Sequence, residues 1–243
     1  PVPGGFLRGR LDGERLTCIS VVKYGQGFGF LGFYIARPPV RGKGYGIKNW
    51  QAGMARLAGR NVGLDGVVAQ QANYRKSGFR NAWNNIRYEG AAFEAKTPAD
   101  VNLFDARSIS FDQLAAYDRR FFPEARDSFL ASWISLTERA SMVAMRDGKI
   151  VGFAVIRACQ AASRVGPLFA DSADIAAALV SELAIVTRAT AVAIDIPDIN
   201  KPAVALAEKA GLKPSFETAR MYTAANPDID YARLYGVTSL ELG

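Results

Sequence analysis

Tyr34-Ile35-Ala36-Arg37-Pro38-Pro39-Val40-Arg41-Gly42-Lys43-Gly44-Tyr45-Gly46 decides how this chain is read. Its first residues end an aromatic strand expected over 27–37. Pro38 and Pro39 close that strand, because proline brings no N–H to a ladder. A glycine-rich turn follows and opens a helix reaching about Leu57, with Ile47, Trp50, Gln51, Met54 and Leu57 at helical spacing. Strand, glycine turn and helix start in direct succession aim free backbone N–H groups at one spot. Glycine admits close approach of a ligand there, and the helix dipole favours negative charge. The turn is therefore a candidate diphosphate site, with Arg41, Gly42, Lys43, Gly44, Tyr45 and Gly46 as its residues.

Outward from this stretch, 1–5 reads as a loop, and 6–12 and 15–24 read as a hairpin around Asp12-Gly13. Downstream come a strand (62–68), a short helix (69–77) ended by Gly78, and a strand (80–88). Small, charged and proline residues over 89–108 place a domain boundary near residue 100, giving domains 1–99 and 100–243. Beyond it the pattern predicts helices over 111–121, 127–138, 174–187 and 201–210. Strands are expected over 141–146, 150–157, 191–196 and 219–223. Hairpins mixed with alternating strands and helices mean α+β, with a mixed sheet.

Composition narrows the chemistry. The 243 residues are 49% hydrophobic and 22% charged, ordinary for a globular protein. No apolar run is long enough to cross a membrane as a helix, and no leader segment is visible. Cys18 and Cys159 stand far apart, which is neither a disulfide framework nor a zinc spacing and points to a reducing, cytoplasmic setting. The chain has 0 histidines, which excludes Ser-His-Asp and Cys-His catalysis and any histidine-containing metal site. Residues 1–99 carry 15 Lys and Arg against 5 Asp and Glu, while 100–243 carry 15 against 18. The basic first part suits an anionic ligand. A solvated basic face would have the same composition.

Several phosphate loops could use such a turn. A Walker loop needs Ser or Thr after its lysine, and Gly44 follows Lys43. Gly27-Phe28-Gly29-Phe30-Leu31-Gly32 spells a dinucleotide fingerprint but lies inside a strand and opens no helix. Arg41-x-x-Gly44-x-Gly46 resembles the pyrophosphate loop of the GCN5-related N-acetyltransferases (GNAT). Asn73-Tyr74-Arg75-Lys76-Ser77-Gly78-Phe79 resembles that family's Tyr-x-x-x-Gly-Phe segment. The resemblance implies an acyl-CoA-dependent N-acyltransferase. It assigns the pyrophosphate of coenzyme A to Arg41–Gly46, the pantetheine amides to the strand at Tyr34, Ile35 and Ala36, and protonation of the departing thiolate to Tyr74. No metal takes part. Val67 departs from the family, many members of which carry Asn there. A complete first domain of the family also starts with a strand and two helices, so about forty to fifty residues are expected to precede Pro1.

The second part resembles the same unit in weakened form. Asn200-Lys201-Pro202-Ala203-Val204-Ala205-Leu206-Ala207-Glu208-Lys209-Ala210-Gly211-Leu212 keeps the family's Asn, Ala, Leu and Gly but has Ala207 at the tyrosine position. Arg164-Val165-Gly166-Pro167-Leu168-Phe169-Ala170-Asp171 stands where the phosphate loop belongs and has one glycine. The resemblance thus implies tandem GNAT-like domains, each a mostly antiparallel mixed sheet flanked by helices, the second without its chemistry.

The implied reaction is attack by an amine on acetyl-CoA or another acyl-CoA. An amine of pKa ~10 is only about 0.1% neutral at pH 7, so a base is needed. Asp65 is the candidate, with Glu89 and Asp195 behind it; a turn or capping role for Asp65 is the alternative. The acceptor is a small-molecule or peptide amine, and monomer and homodimer both remain open. Aromatic and basic residues are not interleaved as in RNA-binding motifs, which argues against a nucleic-acid partner. A non-catalytic acyl-CoA sensor and an aminoacyl or thiol-conjugate transferase of tandem type stay as alternatives.

Overall fold

The computed structural model describes residues 4–243, so the first three residues of the loop expected over 1–5 lie outside the described ones. The chain forms two compact units. Unit 1 holds Pro1–Ala82, Ala219–Asn226 and Leu240–Gly243; unit 2 holds Trp83–Thr218 and Pro227–Ser239. The break between units falls between Ala82 and Trp83, whereas composition puts a boundary near residue 100. The reason is that strand β5 (Arg80–Ala91) begins in one unit and runs on into the other, and β11 (Lys213–Tyr222) is shared in the same way.

In unit 1, β1 (Phe6–Leu11), β2 (Glu14–Tyr24) and β3 (Phe28–Ala36) form an antiparallel meander. β4 (Asn61–Val67) runs parallel to β3, and the last residues of β11 lie beside β4. Helix α1 (Tyr45–Arg56) covers one face. Its Trp50 is buried among Ile19, Val21, Leu31, Leu64 and Phe79, which alternate inward along their strands or close the short helix α2 (Gln71–Lys76).

The parallel β3–β4 ladder runs from Phe28↔Asn61 to Leu31↔Leu64. β3 continues to Ala36 and β4 to Val67, with no further registered pair between them among the described residues. β3 also bulges at this point. Ser20 opposes Gly32 and Cys18 opposes Ile35, so Ile19 faces both Phe33 and Tyr34. Phe33 takes a left-handed φ of 48°. An extra residue bends and twists its strand, which turns β3 away from β4 and leaves a fork.

In unit 2, β6 (Asn102–Asp105), β7 (Arg139–Arg146), β8 (Lys149–Arg157) and β9 (Ser163–Ala170) are antiparallel in succession. β10 (Ala191–Pro197) runs parallel to β9 and antiparallel to β5. Helix α5 (Ala173–Thr187) buries Ile175, Leu179 and Leu183 against Ile156 and Leu168 on one face. Helices α3 (Phe111–Asp118) and α4 (Asp127–Ser135) belong to the other face, where Phe121 stacks on Phe169 at 4.0 Å. Helix α6 (Lys201–Lys209) follows β10.

Residues 164–171, expected as a worn phosphate loop, are strand for all but the last residue. Val165, Leu168, Phe169 and Ala170 are buried, and β9 is paired on both sides. Gly166 and Pro167 sit at a register shift opposite Val155. The actual turn into α5 is Asp171-Ser172, and the Ser172 hydroxyl caps the helix by accepting from the Ile175 N–H.

Unit 2 has its own fork, and the chain fills it. The β9–β10 ladder ends at Val165↔Ile194. Beyond that point β12 (Leu234–Gly236) pairs antiparallel with β9, as Leu234↔Phe169 and Gly236↔Leu168. On the other side the Val237 N–H donates to the Asp195 carbonyl at 3.0 Å. Asn200 anchors the filler, its amide donating to the carbonyls of Ala232 and Leu234 at 3.2 and 3.0 Å.

Candidate active site

The glycine turn follows the part of β3 that runs past its ladder with β4. After a 3₁₀ turn at Pro38–Val40, Arg41, Gly42, Lys43 and Gly44 are exposed and Tyr45 and Gly46 half-buried. Gly42 and Gly44 have φ of 75° and 82°, and an added Cβ on either would point into open space. A side chain there would strain the backbone and cover the concave surface without any clash inside the protein. The N–H groups of Arg41 and Lys43 are engaged by the Pro38 and Val40 carbonyls at 3.2 and 3.4 Å. Those of Gly42, Gly44, Tyr45 and Gly46 have no backbone acceptor among the described residues. The last two belong to the first turn of α1, whose N–H groups are unpaired by geometry. The Arg41 side chain folds back to donate to the Ala36 carbonyl at 3.0 Å. An added Cβ on Gly46 would lie 2.8 Å from the Tyr34 hydroxyl, so glycine is what lets helix and strand meet.

Tyr74 stands at the fork itself. Its ring lies over Gly66, where an added Cβ would approach to 2.7 Å of Cδ2. Trp50 holds it from α1, with ring centroids 5.4 Å apart, and the same Trp50 meets Tyr34 at 5.2 Å. Burial, with a smaller contribution from Tyr34, pushes the Tyr74 phenol up to about 12. Burial raises the Tyr34 phenol as well. Both hydroxyls thus stay protonated at neutral pH. Ile35 is 51% exposed, and its backbone belongs to the part of β3 that runs past the ladder with β4.

Asp65, the base expected from the sequence, is engaged in an ion pair. Both its oxygens accept from Arg220, at 2.9 and 2.8 Å, and its side chain is 0% exposed. Burial alone would lower the Arg220 pKa, but the charge of Asp65 outweighs it and holds Arg220 above its usual value. A carboxylate so paired and enclosed is a poor proton acceptor. Asp195 repeats the pattern in unit 2, bonded through both oxygens to Arg87 at 2.8 and 2.9 Å. Each pair follows the last residue of a parallel ladder, Leu64 in one unit and Ile194 in the other. The pair therefore belongs to the architecture of a fork, with or without a ligand in it. Glu89 lies on β5 across from Ala193.

Sequence reasoning missed the cluster Tyr34–Trp50–Tyr74 as a unit. The signal was available in Trp50 on the inward stripe of α1, but only the fold shows the rings meeting. It also missed the last residues of the chain. Leu240–Gly243 belong to unit 1, where the Tyr24 hydroxyl donates to the Leu242 carbonyl at 2.7 Å. An added Cβ on Gly32, the first residue past the ladder, would meet the Glu241 backbone. Among the described residues no cluster of His, Cys, Asp and Glu could hold a metal, and no helix is long and apolar enough to cross a membrane.

A mixed sheet with a glycine turn and a helix start beyond one of its strands is what the resemblance to the GNAT family implies, and the comparisons agree. The family described as "Acetyltransferase (GNAT) domain" matches residues 114–236. The chain belongs to the GNAT family and is an acyltransferase. It is 30% identical over 241 residues to holothin acyltransferase of Pseudoalteromonas sp., covering 98% of this chain and 81% of that one. It is 26% identical to an uncharacterized Bacillus subtilis N-acetyltransferase, YitH, over 70% of this chain and 60% of the relative. In fold it is similar to a provisionally named acetyltransferase of Pyrococcus horikoshii, with a TM-score of 0.85 at 19% identity over 100% of this chain and 81% of that one. A tandem GNAT protein from the clavulanic acid biosynthesis pathway has a TM-score of 0.64 at 13% identity over 93% and 86%. The family match covers most of unit 2, and the glycine turn lies outside it.

Proposed function

We propose that unit 1 takes acyl-CoA in the fork between β3 and β4 and transfers its acyl group to an amine. The observation that carries this reading is the exposed turn from Arg41 to Gly46, with N–H groups of Gly42, Gly44, Tyr45 and Gly46 left without backbone acceptors beside that fork. Bound acyl-CoA supplies an acyl group already activated as a thioester.

In this reading the turn binds the diphosphate, with Lys43 adding charge and Arg41 bracing the loop through the Ala36 carbonyl. The diverging backbone at Tyr34, Ile35 and Ala36 offers amide partners for the ligand's own amides, as an unpaired strand edge does. A β3 N–H near the bulge steadies the oxyanion formed on attack. Tyr74 faces the departing sulfur. Complete proton transfer from a phenol near 12 to a thiolate of pKa ~8.5 is uphill by about 5 kcal/mol. Tyr74 therefore acts first as a hydrogen-bond donor to growing charge, and the proton crosses as enclosure raises the thiolate. With Asp65 committed to Arg220, the proton of the amine leaves through water.

The closed fork of unit 2 supports a structural role for that half, since β12 occupies the space between β9 and β10. The relative named holothin acyltransferase favours a general acyl donor over acetyl-CoA alone. The test is acyl-CoA consumption over a panel of acceptors graded by amine pKa, from arylamines to alkylamines, with acetyl and longer acyl donors. Turnover with at least one amine, faster at pH 7 for the weakly basic ones, is expected. Thioester loss no faster with any amine than with none would overturn the reading.

A further inference from the structure

The face of unit 2 that carries α4 presents three arginines side by side without a carboxylate among them. Arg139 on β7 is directly across from Arg157 on β8, and Arg157 is directly across from Arg164 on β9. Directly opposed residues of antiparallel strands project to the same face, with Cα atoms roughly 4.5–5.5 Å apart. Trp133 of α4 marks which face. The Arg139 guanidinium lies 3.7 Å and that of Arg157 5.7 Å from its ring centroid. All three arginines are half-buried, so solvent reaches them.

None of the three has an ion-pair partner among the described residues. Arg87 on β5 shows the usual outcome in the same sheet, a bidentate carboxylate. Following the row onward, Arg164 opposes Ala193, which opposes Glu89; that acid is two strands away, about 10 Å. Arg139 donates to the Trp133 carbonyl at 3.3 Å, and Arg157 reaches only the Cys159 sulfur at 4.0 Å.

Two buried polar atoms beside the row also lack partners among the described residues. They are the hydroxyl of Ser141, 3% exposed, and Nε of Arg157. Ser141 is two residues along β7 from Arg139 and shares its face. The indole N–H of Trp133 donates to the Gly166 carbonyl and does not serve them. Like charges directly opposed across strands destabilise a sheet, and buried donors without acceptors cost further. Burial and the neighbouring charge of Arg157 lower the pKa of Arg139, a sign of the same unrelieved field.

We infer that Arg139, Arg157, Arg164 and Ser141 form a binding site for a phosphate group, separate from the glycine turn of unit 1. A phosphate dianion brings two charges and several acceptor oxygens to guanidinium forks and a hydroxyl. A monocarboxylate brings one charge and two oxygens, which leaves part of the set unserved.

Titration calorimetry with inorganic phosphate, against chloride at constant ionic strength, tests this. Saturable binding is expected, weakened at least tenfold by Arg157→Gln and by Arg164→Gln. Arg41→Gln, in the unit 1 turn, should leave this binding unchanged, and acetate should not compete. In chloride neither unit 2 variant should lower Tm, because each relieves repulsion. Absent binding would overturn the site, and so would binding that survives both unit 2 variants but disappears with Arg41→Gln. Acetate competing as well as phosphate would overturn the ligand class. A large Tm loss in both variants would mean that protein groups already compensate the arginines.

Discussion

Unit 1 and unit 2 build the same fork and treat it in opposite ways. In each, a parallel ladder ends at a bulge, at Leu31↔Leu64 and at Val165↔Ile194, and an Asp–Arg pair follows. In unit 1 the strands diverge toward a turn of exposed amides. In unit 2 the chain lays β12 into the gap and satisfies both edges with its own backbone. Diverging strands present unpaired N–H and C=O groups, and these need a partner. A protein segment and an extended amide-bearing ligand are two answers to that need. The difference between the halves then lies in which answer the local sequence permits: Arg41–Gly46 offers an anion cradle, and Asp171-Ser172 offers only a helix cap.

The largest effect is expected at the feature the units share. Arg220→Met leaves Asp65 buried and unpaired, at a cost of about 3–5 kcal/mol in denaturant unfolding. A loss below 1 kcal/mol would show the pair to be dispensable and would reopen a catalytic role for Asp65. Next comes the feature that separates them. Gly44→Val places a β-branched residue at a φ of 82° and should weaken CoA binding at least a hundredfold, about 2.7 kcal/mol. Ser172→Ala, at the corresponding turn of unit 2, should leave CoA binding intact and cost about 1 kcal/mol of stability. Tyr74→Phe should lower kcat roughly 10- to 100-fold with little change in CoA affinity, since it removes a donor and keeps the ring against Trp50. Unchanged turnover would remove Tyr74 from the chemistry.

A further effect of Tyr74 concerns alkali. The Tyr74 phenol is raised to about 12 in the native state and ionises near 10 when unfolded. Between those values the unfolded chain has lost the proton and the native chain keeps it, so stability falls as pH rises from about 10 to 12. Up to roughly 2 kcal/mol is at stake. Tyr74→Phe should flatten that decline in urea titrations at pH 9 and 11. An equal slope in both proteins would mean that Tyr74 ionises freely.

The sequence foretold much of this, for definite reasons. Local signals such as the proline stop at Pro38, the glycines at 42, 44 and 46 and the stripe through Trp50 act within a few residues. They place the turn and α1 within a residue or two of where they lie. Long-range facts left no local trace. Asp65 reads as a turn residue until β11 brings Arg220 to it across the sheet. Residues 164–171 stand in the place of a phosphate loop until pairing on both sides shows a strand with a bulge at Gly166-Pro167. Residues 234–236 carry no strand signal of their own, because their order comes from the gap they fill and from Asn200.

One open fork and one closed one set the CoA stoichiometry of the chain. Calorimetric titration of the protein with CoA counts them directly. One CoA per chain is expected, lost in Gly44→Val and kept in Ser172→Ala. A second CoA that disappears with Ser172→Ala, or one that survives Gly44→Val, would contradict it.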